Sequence, residues 1–274
     1  MSAGIGTSSP VVAIGGGHGL AATLRALRAI CIEPTAVVSV ADDGGSTGRL
    51  RADSARPAPG DIRKCLVALA GNDGPLTRAM EHRFDAGEMQ GHSFGNLMIA
   101  ALEETEGSLL RSVEVVAELL GCHGQVLPAT EDVVELVAEL DCGREVTGQA
   151  AIASTPGVHS VELRPRCEAP VEALDAVARA ETILLGPGSL YTSVLAAAMV
   201  PSLRDAVGRS QASLVYLCNL RPQAHETDGY DVAAHVDALA RHGFDPDVVL
   251  YDPATIDAGA LANPSVLHPV SVAA

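Results

Sequence analysis

The chemistry most evident in this chain lies in Asp42-Asp43-Gly44-Gly45-Ser46-Thr47-Gly48-Arg49, where two carboxylates precede glycines, two hydroxyls and a guanidinium. A carboxylate about 4 Å from a ligand phosphate is repelled by a few kcal/mol at an effective dielectric of about 20. An aspartate here therefore accepts from a sugar hydroxyl, or holds a Mg²⁺ that bridges to phosphates. Ser46, Thr47 and Arg49 would then meet the phosphate oxygens. The plainer alternative is an Asx-type turn followed by flexible glycines. Side chains alternate faces along a strand, so one of Asp42 and Asp43 is expected to enter a crevice directly.

Other strings offer related chemistry. Gly15-Gly16-Gly17-His18-Gly19 follows an apolar run, where glycines let backbone N–H groups approach a phosphate at a helix N-terminus. A bare tight turn yields the same string, so it is weak as a dinucleotide signature. Pro59-Gly60-Asp61-Ile62-Arg63-Lys64 opens a helix with Asp61 expected as N-cap. Arg63 and Lys64 in its first turn run against the helix dipole and imply a negative partner, which Asp61 or a surface acid would satisfy. In His92-Ser93-Phe94-Gly95-Asn96, Ser93 is expected to cap a helix, with His92 or Asn96 as a ligand donor the alternative. Gly186-Pro187-Gly188-Ser189 places Ser189 to cap a helix or bind a phosphate. Asn219 and Arg221 end a further strand, and Thr227-Asp228 open a helix just after it. No Ser-His-Asp order, H-E-x-x-H or Walker motif is present, so no nucleophile or general base stands out.

The elements that must position these residues alternate between short strands and helices. Continuous apolar runs at Val11–Ile14, Ala36–Val40, Thr182–Leu185, Leu214–Cys218 and Val248–Tyr251 are what a parallel sheet covered on both faces requires. The expected fold is α/β, a Rossmann-like doubly wound, mostly parallel sheet with helices on both faces and a small antiparallel insertion. One domain is expected over 1–274, with a mainly helical segment at about 61–121 and the β insertion at about 125–168, where Val158–Leu163 alternate with period two. The final dozen residues show no period and read as coil. In such sheets ligands bind outside the carboxyl ends of the strands, which is where the strings above fall.

Composition narrows the partners. The 274 residues carry 34 acidic and 18 basic side chains, for a net charge of -16. So acidic a surface repels a phosphate backbone, and four Tyr, three Phe and no Trp cannot build base-stacking platforms, so nucleic acid is excluded as the main partner. No stretch approaches the roughly 20 apolar residues that span a bilayer, and the N-terminus lacks the features of a signal peptide. A cytoplasmic, reduced protein is expected, its six cysteines dispersed without a C-x-x-C pair. Cys31, Cys65 and Cys218 read as small hydrophobes inside apolar runs, and Cys122-His123 as a helix-end loop rather than a metal site.

Taken together, Gly15-Gly16-Gly17-x-Gly19, Ala41–Arg51, Pro59–Arg63, His92-x-Phe94-Gly95-Asn96-Leu97, Leu185–Ser193 and Asn219 with Glu226-Thr227-Asp228-Gly229-Tyr230 resemble the gluconeogenesis factor family, in order from about residue 11 to 250. That family lies in the superfamily of 2-phospho-L-lactate transferase. The resemblance implies a regulatory, nucleotide-sugar-binding protein, with UDP-N-acetylglucosamine as the type ligand, linked to carbon metabolism, cell shape and peptidoglycan synthesis. Gly15–Gly19 and Gly188-Ser189 would hold pyrophosphate, Asp42 or Asp43 would hold hydroxyls or Mg²⁺, Arg49 and Arg63 would neutralise charge, and Tyr191 would stack on base or sugar. A homo-oligomer and cell-wall synthesis proteins are the implied partners. The alternative is a Mg²⁺-dependent transferase of a phosphorus-containing group. His18 stands where the family has Thr, Lys64 where it has Asn, and Ala224-His225 replaces a Pro-Gly turn.

Overall fold

The computed structural model describes residues 9–44, 56–260 and 267–269. In chain order the elements are β1 (Val11–Gly15), α1 (Gly17–Ala29), β2 (Thr35–Val38), α2 (Gly60–Leu69), α3 (Pro75–Glu81), α4 (Phe94–Glu106) and α5 (Leu109–Leu120). There follow β3 (Gln125–Pro128), β4 (Glu135–Leu140), β5 (Glu145–Thr147), α6 (Gln149–Ile152), β6 (Val158–Arg164), α7 (Val171–Arg179) and β7 (Thr182–Leu185). A π-helical turn (Leu190–Leu195) runs on into α8 (Ala196–Ala198), then α9 (Pro201–Arg209), β8 (Ser213–Leu217), α10 (Val232–Arg241), β9 (Val248–Tyr251) and β10 (Leu267–Pro269).

The main sheet has the order β10-β9-β8-β7-β1-β2-β3, and every neighbouring pair is parallel. The α/β, Rossmann-like expectation is met. β1 is buried at all five positions and β2 at its last three, because helices cover both faces and leave no solvent side to alternate toward. Alanine, valine and leucine fill the core between sheet and helices, with Leu20 and Leu24 of α1 and Ile62, Leu66 and Leu69 of α2 fully buried. The long excursion between β2 and β3 carries α2 to α5, largely helical as the sequence indicates. Ser93 and Ser108 cap α4 and α5 by accepting from the backbone N–H of Asn96 and Arg111.

A second sheet, β5-β4-β6, is antiparallel. In β6, Val161 and Leu163 are buried and Glu162 and Arg164 face out, the two-residue period of a sheet covered on one side, while buried Val158 falls three residues before Val161 because the register against β4 shifts between them. Gln125–Pro128 is not part of this insertion: it pairs with β2 at the edge of the main sheet.

Three further expectations are corrected. Asp61 is not the N-cap of α2; Pro59 holds that position, without a side-chain cap, and Asp61 lies inside the first turn. Cys31 is exposed, just past the end of α1 at φ 60, because the helix stops before its apolar stripe reaches that residue. The final residues do not trail entirely as coil, since Leu267–Pro269 adds a parallel strand beside β9. Cys122 lies just after the end of α5, its thiol donating to the Leu66 carbonyl, in keeping with a helix-end loop. Among the described residues no helix is long and apolar enough to cross a membrane.

Candidate functional site

The strand order reverses at β1. From there the chain winds outward through β2 to β3, and from β7 it winds the other way through β8 and β9. Two loops therefore leave the carboxyl ends of adjacent strands and part, which opens a crevice. Gly16 leads from β1 into α1, and Gly186-Pro187, joined by a cis peptide, leads from β7 toward the π-helical turn. Between them lies a cleft of about 360 Å³. Gly16 to Gly19, Asp42, Asp61 and Lys64 line it from the first half, and Gly188, Ser189, Thr192, Ser193 and Gln223 from the second. Gln149, Ala150 and Ala153 of the insertion complete the wall. The two halves touch so closely that a Cβ on Gly19 would run into the Pro187 carbonyl oxygen, and within the first half one on Gly16 would stand 2.5 Å from Asp61 Oδ2.

The N-terminus of α1 opens into this cleft. First-turn N–H groups have no partner inside a helix, and the dipole adds a partial positive charge. Exposed His18 lies in that turn. Asp61 is 4% exposed, and its Oδ1 accepts from Lys64 Nζ at 2.9 Å. The partner that Lys64 requires is thus the neighbouring aspartate. The two adjacent aspartates separate, although they lie past the end of β2 (Thr35–Val38), so strand alternation is not the cause. Asp42 lines the cleft, and its Oδ1 accepts from Gly44 N at 2.9 Å in an Asx turn. Asp43 Oδ1 instead accepts from Ala150 N at 2.9 Å, in the first turn of α6. The carboxylates sharing the cleft are Asp42 and Asp61, not Asp42 and Asp43. Among the described residues no group of three or more His, Cys, Asp or Glu is gathered for a metal. Mg²⁺ commonly takes one or two carboxylates plus waters and ligand phosphates, and Asp42 with Asp61 fits that donor set.

The second wall is held by a residue absent from the candidates. Glu226, 2% exposed, accepts from Tyr191 N at 2.6 Å, Thr192 N at 3.0 Å and Thr192 Oγ1 at 2.8 Å. Burial pushes its carboxyl above the usual range, while the hydrogen bonds from Thr192 and Tyr191 pull the other way. The protein's own carboxylate thus occupies the Tyr191 and Thr192 amides of the π-helical turn, so those two are not left to hold a pyrophosphate. Ser189 does not cap the turn; its hydroxyl donates to Gln223 Oε1. Asn219 is engaged with the loop itself, accepting from Gly188 N and donating to Gly188 O.

Tyr191 does not present a ring for stacking. It is fully buried, its hydroxyl 2.9 Å from that of Tyr230 and within reach of Arg241 Nη2. Arg63 is also turned away: Nε donates to Asn96 Oδ1 and Nη1 to the Met80 carbonyl, tying α2 to α4 and α3. Asn96 is buried in that contact, and the His92 backbone closes the preceding turn with Phe84 and Met89. Thr227 and Asp228 do not open a helix: they stand in the turn before α10, which Asp231 caps, with Thr227 buried and accepting from Gln223 N and Asp228 accepting from His225 N at the surface, where Arg221 is also exposed. Gly15 and Gly186 shape the strand exits without lining the cleft. Gly45, Ser46, Thr47 and Arg49 lie outside the described residues.

A larger cavity, about 830 Å³, lies between the antiparallel sheet and the ends of α9 and α10. The helices present C-termini there, at Arg209 and Arg241, and both acidic and basic side chains line its walls. It lacks the anion-favouring helix start of the smaller cleft.

The family model for 2-phospho-L-lactate transferase CofD matches residues 11–271. The chain belongs to the CofD family. Within the family it is similar to the gluconeogenesis factor of Halalkalibacterium halodurans, 41% identical over 235 residues, covering 85% of this chain and 73% of that one. The gluconeogenesis factor of Bacillus subtilis is 40% identical over 241 residues, covering 87% and 76%. Two crystal structures of protein BH3568 from Bacillus halodurans superpose with TM-scores of 0.85 and 0.86 at 39% identity, covering 89% of this chain and 80% of theirs. The resemblance to gluconeogenesis factors carried by the sequence motifs is thereby met.

Proposed function

We propose that the cleft at the switch point binds a nucleotide sugar, with UDP-N-acetylglucosamine as the type ligand, and that the protein is a regulator rather than an obligate catalyst. The observation that carries this reading is the N-terminus of α1 opening on a polar cleft shared with Asp42, Asp61 and Lys64. The diphosphate sits at the α1 amides and Lys64. Asp42 and Asp61 accept sugar hydroxyls or hold a Mg²⁺ that offsets their repulsion of phosphate. Small Ala150 and Ala153 leave room for the rest of the ligand. Calorimetric titration with UDP-N-acetylglucosamine, with and without Mg²⁺, tests it; no heat at millimolar ligand would remove it. On this reading the protein is cytoplasmic and homo-oligomeric, and acts on carbon metabolism, cell shape and cell-wall synthesis through partner proteins. Sedimentation velocity addresses the oligomer.

A second reading is a Mg²⁺-dependent transferase of a phosphorus-containing group. It is favoured by the transferase name of the family and by the two carboxylates and one lysine that line the cleft. A bound Mg²⁺ would supply charge neutralisation of the phosphates. The chain's own part is to hold the donor at the α1 amides and to accept the attacking hydroxyl's proton at Asp61 Oδ2 as the new O–P bond replaces the P–O bond to the nucleotide, which leaves as the nucleoside monophosphate. Incubation with a nucleotide-activated lactyl donor and a deazaflavin acceptor decides, absence of product removing this reading.

A further inference from the structure

Every polar group of Thr192 named so far faces away from the solvent. Its N–H and hydroxyl donate to Glu226, and its carbonyl accepts from Gln149 Nε2 at 2.5 Å. Gln149 begins α6, whose next residue, Ala150, donates its N–H to Asp43. A single buried carboxylate on the loop after β8 is therefore linked through Thr192 to a helix of the antiparallel insertion. The two cleft walls joined this way, Thr192-Ser193 and Gln149-Ala150, have no covalent reason to move together.

We propose that Glu226 is a positioning residue that sets both of these walls, acting on the insertion through Thr192 and Gln149. The carboxylate is buried, three donors converge on it, and two of them are adjacent amides in the first turn of a helix whose dipole favours an anion. The turn itself is π-helical, a wide and uncommon conformation that a specific partner must hold. Gln149 then reads the position of the Thr192 carbonyl directly. Removal of the carboxylate leaves two buried amides and a hydroxyl unpaired, and the turn relaxes to recover partners. The Thr192 carbonyl moves with it, and α6 loses its anchor on this side. A glutamine at 226 keeps the arrangement: its Oε1 accepts both amides, and its Nε2 donates to the Thr192 hydroxyl, which reverses its role.

That these walls serve a ligand rests on the nucleotide-sugar reading above, so the test has an arm that needs no ligand. Amide hydrogen exchange is followed by mass spectrometry in the wild type, Glu226→Ala and Glu226→Gln. Expected in Glu226→Ala is at least tenfold faster exchange in both 189–195 and 148–153, with Glu226→Gln within twofold of wild type in both. Acceleration confined to 189–195, or none, overturns the inference. Should Glu226→Ala fail to fold, Thr192→Val removes one of the three donors, and at least threefold faster exchange is expected in both segments; no change at 148–153 overturns it. With UDP-N-acetylglucosamine as probe, Glu226→Ala is expected to bind at least tenfold more weakly and Glu226→Gln within threefold of wild type. Absence of binding by the wild type itself counts against the cleft reading alone, because the exchange arm still decides the positioning role.

Discussion

Asp42 lines the cleft and closes a turn onto Gly44 N, whereas Asp43 reaches across to Ala150 N. The two carboxylates should answer differently to substitution. Asp42→Asn keeps the Oδ1 acceptor for Gly44 N, so urea unfolding is expected to shift by less than about 0.5 kcal/mol, while affinity for the phosphorylated ligand falls in the same preparation. Asp43→Ala removes the acceptor at the start of α6 and is expected to cost about 1 kcal/mol in the same unfolding experiment. If the two phenotypes are exchanged, the assignment of the aspartates is wrong. Gly19→Ala drives a methyl into the Pro187 carbonyl, a rigid backbone neighbour. A loss of about 1–3 kcal/mol is expected, as for other overpacked sites, and thermal unfolding measures it. At this scale the sequence shows which residues are unusual, but not which way they turn. Tyr191 stands inside a motif-like string and is rare for this chain, yet its ring is sealed in the core against Tyr230 and Arg241. Glu226 stands in another such string, and only its three donors show what it does.

The elements were mostly legible because their patterns are local: buried strands read as apolar runs, helices as a 3.6-residue period, and β6 as an alternation broken only by the register shift between Val158 and Val161. The π-helical turn was not, since Leu190–Leu195 looks like the start of any helix and its width depends on Glu226, 35 residues away in the chain. How the insertion attaches was equally hidden. His242, just past α10, bridges that helix and β6 with its two ring nitrogens: Nδ1 lies 2.7 Å from the Ala238 carbonyl of α10 and Nε2 accepts from Val161 N of β6 at 2.9 Å. That pair of contacts requires the neutral ring. Burial lowers its tendency to protonate, and Arg241, His159 and Arg204 nearby push the same way. A histidine held below its unfolded value of 6.5 contributes stability that is present above that pH and is lost as pH falls through the folded value, because the unfolded chain takes up the proton first. Buried His235 acts in the same direction. Melting temperature is therefore expected to fall as pH drops below about 6.5, and His242→Gln is expected to shallow that slope. An unchanged slope in the variant would assign the acid sensitivity elsewhere.

For the molecule as a whole the net charge of -16 is the dominant electrostatic fact. Self-repulsion at that charge opposes the compact state, and salt screens it over a Debye length of roughly 10 Å at 0.1 M. The melting temperature at pH 7.5 is expected to rise as NaCl is raised from about 10 to about 200 mM, by a few degrees for about 1 kcal/mol of relief. A flat response by differential scanning calorimetry would show that local pairs such as Arg164 with Glu145 and Glu162 already offset the repulsion. The same scans are expected to show one cooperative transition over the chain if the insertion and the main sheet form one unit. The alternation of strand and helix, the parallel sheet, and the glycines at the strand exits are legible from the amino acids alone, because burial on both faces and backbone close approach each leave a mark within a few neighbouring residues. Tertiary structure alone decided which exits meet and what holds them. The cleft exists because β1 and β7 are neighbours at the point where the strand order reverses. Its walls are held by Glu226 and Gln149, joined to Thr192 across 34 and 43 residues of chain. A lone carboxylate or amide carries no local pattern, and its partner is fixed only when the sheet order brings the distant segments together.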